Sequence, residues 1–263
     1  MARTALLNVM VKAARKAGRA LTRDFGEVEN LQVSVKGPGD FVTAADRKAE
    51  DILYRELQYA RPDYGFLMEE SGTVEGKDPS HRWIIDPLDG TTNFLHGIPI
   101  FAVSVALERD GQIVAGVVFN PISDELYTAE RGTGAFLNDR RLRVAGRTKM
   151  ATSVIGNGIP HIGRGDHELA LSELRAVMAQ ASGIRRCGAA AIDLAWIASG
   201  RLDGFWEHGL APWDMAAGII LIREAGGLVS DASDRQKMLE TGSIVTGNEN
   251  IHKQLLALIK SAN

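Results

Sequence analysis

Apolar positions recur at helical spacing from the first residues onward. Leu6, Leu7, Met10, Val11, Ala14 and Leu21 fall on one side of a helix read over 2–24. The same period predicts helices at about 45–60, 166–181, 189–200, 212–225 and 248–261. Runs rich in β-branched residues predict strands at 31–35, 82–86, 99–108, 112–119, 125–130, 152–157, 202–207 and 243–247. Within 99–130 three strands follow one another with no helix between them. The turns Arg109-Asp110-Gly111 and Pro121-Ile122-Ser123-Asp124 separate them, which predicts an antiparallel meander. Later strands alternate with helices, as α/β units do. Charge rises and periodicity lapses at 140–151, yet no true linker, repeat or low-complexity tract interrupts the chain. We therefore read one domain over 1–263, with subregions of about 1–145 and 146–263.

Composition narrows the class. Hydrophobic residues make up 45% and charged residues 24%, close to the averages of globular domains, which excludes a disordered or fibrous chain. Thirty Lys and Arg against 33 Asp and Glu leave a net charge of −3, with no basic excess to mark a dedicated nucleic-acid binder. Cys187 is the only cysteine, so no intrachain disulfide forms and a cytoplasmic setting is the economical reading. No apolar run approaches the roughly 20 residues that span a bilayer. The basic, amphipathic N-terminus also has the look of a transit peptide, but its helical spacing favours a core-facing first helix.

Chemistry concentrates in Trp83-Ile84-Ile85-Asp86-Pro87-Leu88-Asp89-Gly90-Thr91-Thr92-Asn93-Phe94. An apolar strand runs into two carboxylates three positions apart, with a proline that stiffens the turn and a glycine that frees it. Acids held this close repel unless a cation lies between them. The amides and hydroxyl of Gly90-Thr91-Thr92 then offer an anion site at a helix start. Carboxylates for a hard cation, followed by donors for an oxyanion, describe a magnesium and phosphate site. Read alone, the same stretch is also a solvated Asp-Gly turn.

Three other stretches bear on that choice. Ala211-Pro212-Trp213-Asp214-Met215-Ala216-Ala217-Gly218 opens a helix that ends in Glu224-Ala225-Gly226-Gly227. Its small residues permit close packing, and Asp214 lies in the first turn, where the dipole favours an anion. Asp40-Phe41-Val42-Thr43-Ala44-Ala45-Asp46 places Thr43 as an N-cap with Asp46 three residues on, as in a capping box. Met68-Glu69-Glu70-Ser71-Gly72 closes a short strand-like run and by itself reads as an acidic loop.

Together the four stretches resemble the inositol monophosphatase family of lithium-sensitive, magnesium-dependent phosphatases, over essentially the whole chain. The pattern D-P-[IL]-D-G-T-x-N-F is met by Asp86 to Phe94, and W-D-x-A-A-G with a later E-A-G-G by Trp213 to Gly227. The resemblance implies an α/β/α/β/α layered sandwich of the inositol monophosphatase and fructose-1,6-bisphosphatase type. It also implies a homodimer that hydrolyses phosphate monoesters of small polyols.

Carried over by motif, Glu69, Asp86, Asp89, Asp214 and the carbonyl of Leu88 look like ligands for two or three Mg²⁺. Thr91 and Glu69 resemble the pair that orients and deprotonates a metal-activated water, with Asp46 supporting Thr91. Gly90 and Thr91 amides would hold the phosphate. Gly188, Ala189, Glu207 and Asp214 would border the substrate. Ala189 departs from the family, where Thr or Ser commonly follows the glycine, so a hydroxyl is missing on the polyol side.

Five acids total −5, and two Mg²⁺ offset four of those charges, which implies a strained site without metal. Rival chemistries lack their nucleophiles. Asp193 stands where a C-x₅-R phosphatase needs arginine after Cys187, and the six histidines form no zinc motif, so none is given a role. Arg185-Arg186 reads as a solvated pair, or else as a substrate or dimer contact.

The expected function is an inositol-1-monophosphatase. Fructose-1,6-bisphosphatase, 3′(2′),5′-bisphosphate nucleotidase and histidinol-phosphatase are alternatives on the same scaffold. A different class stays open, an accessory factor that contacts RNA polymerase, nucleic acid or the RNA-processing machinery.

Overall fold

The computed structural model describes residues 3–27, 33–37, 40–163 and 165–262, with only the backbone at 33–37 and 40–42. Part of the strand predicted at 31–35, and the side chain of Asp40, lie outside the described residues. In chain order the elements are α1 (Ala5–Phe25), β1 (Val33–Gly37), β2 (Asp40–Thr43), α2 (Ala44–Ala60), β3 (Tyr64–Met68), β4 (Gly72–Val74) and β5 (Asp78–Asp89). There follow α3 (Thr91–Leu95), β6 (Ala102–Arg109), β7 (Gln112–Asn120), β8 (Glu125–Glu130), β9 (Gly134–Leu137), β10 (Arg140–Arg141) and β11 (Val154–Asn157). The chain continues through α4 (His167–Met178), β12 (Gly183–Arg185), α5 (Ala190–Ala198), β13 (Gly204–His208) and α6 (Pro212–Glu224). It ends with β14 (Leu228–Ser230), α7 (Met238–Thr241), β15 (Ser243–Gly247) and α8 (Glu249–Ala262).

The predicted meander is present. Strands β5 to β10 pair antiparallel in sequence within an eight-stranded sheet of order β10-β9-β8-β7-β6-β5-β3-β4, and only β3 and β5 run parallel. Asp110 and Gly111 both take positive φ, 50° and 73°, which makes the β6–β7 connection a two-residue hairpin matched to strand twist. β6 and β7 are buried almost throughout, because helices cover both faces of the sheet. α1 and α2 pack on one face, and α5 and α6 on the other.

The second sheet has five strands in the order β12-β11-β13-β15-β14. It contacts α5 and α6 from its own side and carries α4 and α8 outside, completing the α/β/α/β/α layering. Sandwiched between two sheets, α6 buries every residue from Met215 to Ile222 and so has no polar stripe. Its small residues serve that position. A methyl group on Gly218 would lie 2.4 Å from Leu194 of α5, and one on Gly116 of β7 would lie 2.6 Å from Ile220.

The predicted helices form, with ends shifted by a few residues. Strands β2, β4, β9, β10, β12 and β14 were not read from the sequence; at two to four residues they are too short to show a period. The run read at 152–157 begins later, because Met150–Thr152 forms a 3₁₀ turn in which the Thr152 N–H donates to the Lys149 carbonyl and the Ser153 N–H to the Met150 carbonyl.

Candidate active site

β5 delivers two acids by a break in its ladder. Asp86 pairs with Ser104 and Asp89 with Ala102, so three steps on β5 oppose two on β6. Pro87 supplies no ladder donor, and it lies within the bulge. Asp86 Oδ1 accepts the Leu88 N–H at 2.9 Å, which closes the turn. Gly90 follows with φ 92°, and a methyl group there would lie 3.0 Å from the Ile100 carbonyl and 3.1 Å from Ala189. Glycine is required on both counts. Gly90 begins α3, whose first N–H groups have no helical acceptor and no side-chain cap.

Glu69 reaches the same place from β3. Its N–H bonds the Ile85 carbonyl at 3.2 Å, extending the parallel ladder so that Glu69 stands beside Asp86. Burial chiefly pushes the Asp86 carboxyl well above the carboxylate range, followed by the charges of Glu69, Asp89 and Asp214 and a hydrogen bond with Glu69. Asp214 arrives from the first turn of α6, where its Oδ2 accepts the Ala211 N–H at 2.7 Å. Its two readings therefore coincide: it caps its helix and faces the acids of β5.

Asp46 and Thr91 meet as well. Thr43 caps α2, and Asp46 accepts the Thr43 N–H at 2.8 Å in a complete capping box. Asp46 Oδ1 and the Leu88 carbonyl each lie 3.1 Å from the Thr91 hydroxyl. Asp46 is fully buried, and its carboxyl is raised first by burial, with the bonds from Thr43 and Thr91 pulling it down.

Some of these groups border a cavity of about 340 Å³. Asp89, Gly90, Thr91, Gly188, Ala189, Glu207 and Asp214 line it; Asp46, Asp86 and Leu88 are buried and, like Glu69, are not among the lining residues. Asp89 ties the eight-stranded sheet to the helix layer between the sheets. Its Oδ2 accepts the Ala191 N–H at 2.7 Å, capping α5, whose own N-cap Ala189 has no side chain to do so. Burial raises Asp89 to about 7, Asp193 and Glu69 add to the rise, and the Ala191 and Ala190 amides oppose it. Glu207, at the end of β13, is likewise raised by burial first and then by Asp214, Asp193 and Asp89, with Arg186 opposing.

Gly158, Ile159, His161, Ala190, Asp193 and Leu210 also line the wall and had no role assigned from sequence. A methyl group on Gly158 would overlap the Glu207 carboxylate at 1.8 Å, so that glycine makes the room for Glu207. Arg186 lines the cavity instead of being merely solvated, and Arg185 turns away to the Ile184 carbonyl. Burial pushes the Cys187 thiol up to about 12, which leaves no nucleophilic thiolate.

The donor set fits a hard cation: carboxylates and a carbonyl, mutually repelling, with Arg186 the cation bordering the cavity. Among the described residues no three acidic, histidine or cysteine side chains stand as close as the ligands of one ion. Also among them, no helix is long and apolar enough to cross a membrane.

Known proteins align with this arrangement. The profile described as the inositol monophosphatase family matches residues 2–263. An inositol-1-monophosphatase of Mesorhizobium japonicum is 70% identical over 260 residues, 99% of this chain and 98% of that one. A Nus factor SuhB of Pseudomonas aeruginosa is 45% identical over 97% of this chain and 96% of its own. The crystal structure of the extragenic suppressor protein suhB from Bartonella henselae superposes with a TM-score of 0.96 at 60% identity, covering 98% of this chain and 99% of that one.

Proposed function

The chain belongs to the inositol monophosphatase family, and we propose that it is a Mg²⁺-dependent phosphate monoester hydrolase acting on inositol 1-phosphate. The observation that carries this reading is the convergence of Glu69, Asp89 and Asp214 on the buried Asp86, acids from three separate stretches of chain of which Asp89 and Asp214 line one cavity. The relatives named inositol-1-monophosphatase support the substrate.

Glu69, Asp86, Asp89, Asp214 and the Leu88 carbonyl would hold two or three Mg²⁺. Bound there, the ions supply positive charge to the phosphoryl oxygens and acidify water. The chain's own residues do the rest. Thr91 has one hydroxyl proton, shared between Asp46 and the Leu88 carbonyl, so its oxygen keeps its lone pairs to accept a hydrogen bond from the attacking water. Glu69 takes that water's proton. Gly90 and Thr91 amides hold the phosphate, and Glu207 accepts from a polyol hydroxyl at the opposite wall. Gly188 and Ala189 border that polyol, and Arg186 moderates the negative field around Glu207.

A homodimer and inhibition by Li⁺ are proposed on the same family ground, the division into halves near 145 on the lapse of periodicity at 140–151, and a cytoplasmic setting on the single cysteine. The accessory-factor reading rests on the relatives named Nus factor SuhB. A phosphate-release panel of inositol 1-phosphate, fructose 1,6-bisphosphate, adenosine 3′,5′-bisphosphate and histidinol phosphate, with and without Mg²⁺, tests the proposal. Inositol 1-phosphate is expected to be cleaved fastest and only with metal. Mg²⁺-independent turnover, or release from none of the four, would overturn it.

A further inference from the structure

At the far end of the eight-stranded sheet lies a second hollow, of about 230 Å³, lined by Arg61, Arg109 and Arg131 together with Tyr64, His81 and Glu130. The strand ladder builds it. His81 of β5 faces Arg109 of β6 directly, and Arg131, just past β8, bonds the Ile113 carbonyl through its guanidinium at 3.3 Å. Arg61 stands at the C-terminal end of α2, and its guanidinium bonds the Ala60 carbonyl at 2.8 Å. His81 and Asp86 are five residues apart on β5, so this hollow lies roughly 17 Å or more from the nearest acid of that strand.

Its arginines differ from those held in ion pairs. Arg3, Arg15, Arg55, Arg82, Arg147, Arg201 and Arg235 each pair with an Asp or Glu. Arg61, Arg109 and Arg131 pair with none among the described residues, and most of their N–H donors are unused. Glu130 is the one acid in the wall, and it accepts the Thr4 hydroxyl. Three guanidinium charges face one carboxylate in the wall and a second, Asp78, bonded to the lining His81 at 2.8 Å, which leaves a formal surplus of +1. Arg131 also acts beyond the hollow: burial first, and then the charge of Arg131, hold the Arg223 guanidinium below its usual value. Forked donors in excess of acceptors, around a space the size of a small molecule, match the oxygens of phosphate groups.

We propose that the hollow formed by Arg61, Arg109 and Arg131 is a second anion site, which binds a polyphosphate group away from the catalytic cavity. Inorganic pyrophosphate and a nucleoside triphosphate present that same chemistry, and both serve as probes. Titration calorimetry is done on the full chain in EDTA, where the acids of the catalytic cavity repel phosphate. Pyrophosphate is expected to bind at one saturable site tighter than roughly 1 mM. Arg109 and Arg131 are exposed, so Arg109→Gln/Arg131→Gln removes two charges without opening the core. That variant is expected to weaken binding at least about tenfold while inositol 1-phosphate hydrolysis under Mg²⁺ is unchanged. Should the double variant melt early, the single Arg109→Gln, expected to lose about threefold or more, takes its place. Tighter binding of adenosine triphosphate than of pyrophosphate would assign the site to a nucleotide, and the reverse to an inorganic anion. Absence of saturable binding by either probe, or binding unchanged in the variants, overturns the site.

Discussion

The two walls of the catalytic cavity are built by opposite means. On one side Asp86 and Asp89 sit in the last turns of a twelve-residue strand, fixed by a ladder, a proline bulge and a glycine with no room for a side chain. On the other, Gly158 and Arg186 come from loops and Glu207 from a strand end, where space is left by what is missing. The first wall crowds its acids around one strand end; the second sets Glu207, itself raised by burial and then by Asp214, Asp193 and Asp89, in room that a glycine leaves. Replacements in the first should therefore abolish chemistry, and replacements in the second should change which substrate fits.

The largest expected effect is at Asp89. Asp89→Asn keeps an oxygen for the Ala191 N–H but removes the charge. Turnover is expected to fall about a thousandfold or more, with stability unchanged or raised, because one of several crowded buried charges is gone. Asp89→Ala loses the same activity and also the cap of α5, about 1 kcal/mol. Phosphate release and urea unfolding on the pair check this. Equal loss of stability in both would show that the charge, and not the cap, joins Asp89 to α5.

On the opposite wall, Gly158→Ala drives a methyl group into the Glu207 carboxylate. KM is expected to rise about 10- to 100-fold, the cost of one or two charge-assisted hydrogen bonds to the polyol. The kcat should stay within about threefold, since the acids do not move. A fall in kcat with KM unchanged would mean that Glu207 acts on the metal side.

That asymmetry also explains what could be read in advance. Asp86, Pro87, Asp89 and Gly90 announce themselves because each residue type answers a local backbone need within five positions. The Thr43–Asp46 capping box and the hairpin at Asp110-Gly111 are legible for the same reason. Gly158 is not, since its reason lies 49 positions away in Glu207. Nor is Asp193, which lies just inside α5 yet raises both Asp89 and Glu207 across the cavity. Burial raises Asp193 itself to about 7. α6 illustrates the limit from the other side: its small residues foretold close packing, but only the layering shows that it is gripped by Leu194 and by β7.

Away from both walls, the five-stranded half carries its own titratable weak point, with the smallest effect expected. His252 of α8 is 6% exposed, and its Nε2 meets the Ser230 hydroxyl of β14 at 2.9 Å. Burial chiefly lowers its pKa; Asp234 pulls it up and Lys260 pushes it down. The folded state thus keeps the ring neutral where the unfolded chain would already have taken up a proton. Stability from this group is complete above the unfolded value of about 6.5 and is lost as pH falls from there through the folded value. Between about pH 7.5 and 5.5, the wild type is expected to lose up to about 1 kcal/mol more than His252→Gln. Comparing the two proteins cancels the catalytic acids, whose titration is common to both. Urea unfolding at the two pH values reads the difference directly. An identical loss in both would place the acid sensitivity of the fold in the cavity walls and leave His252 a neutral packing residue.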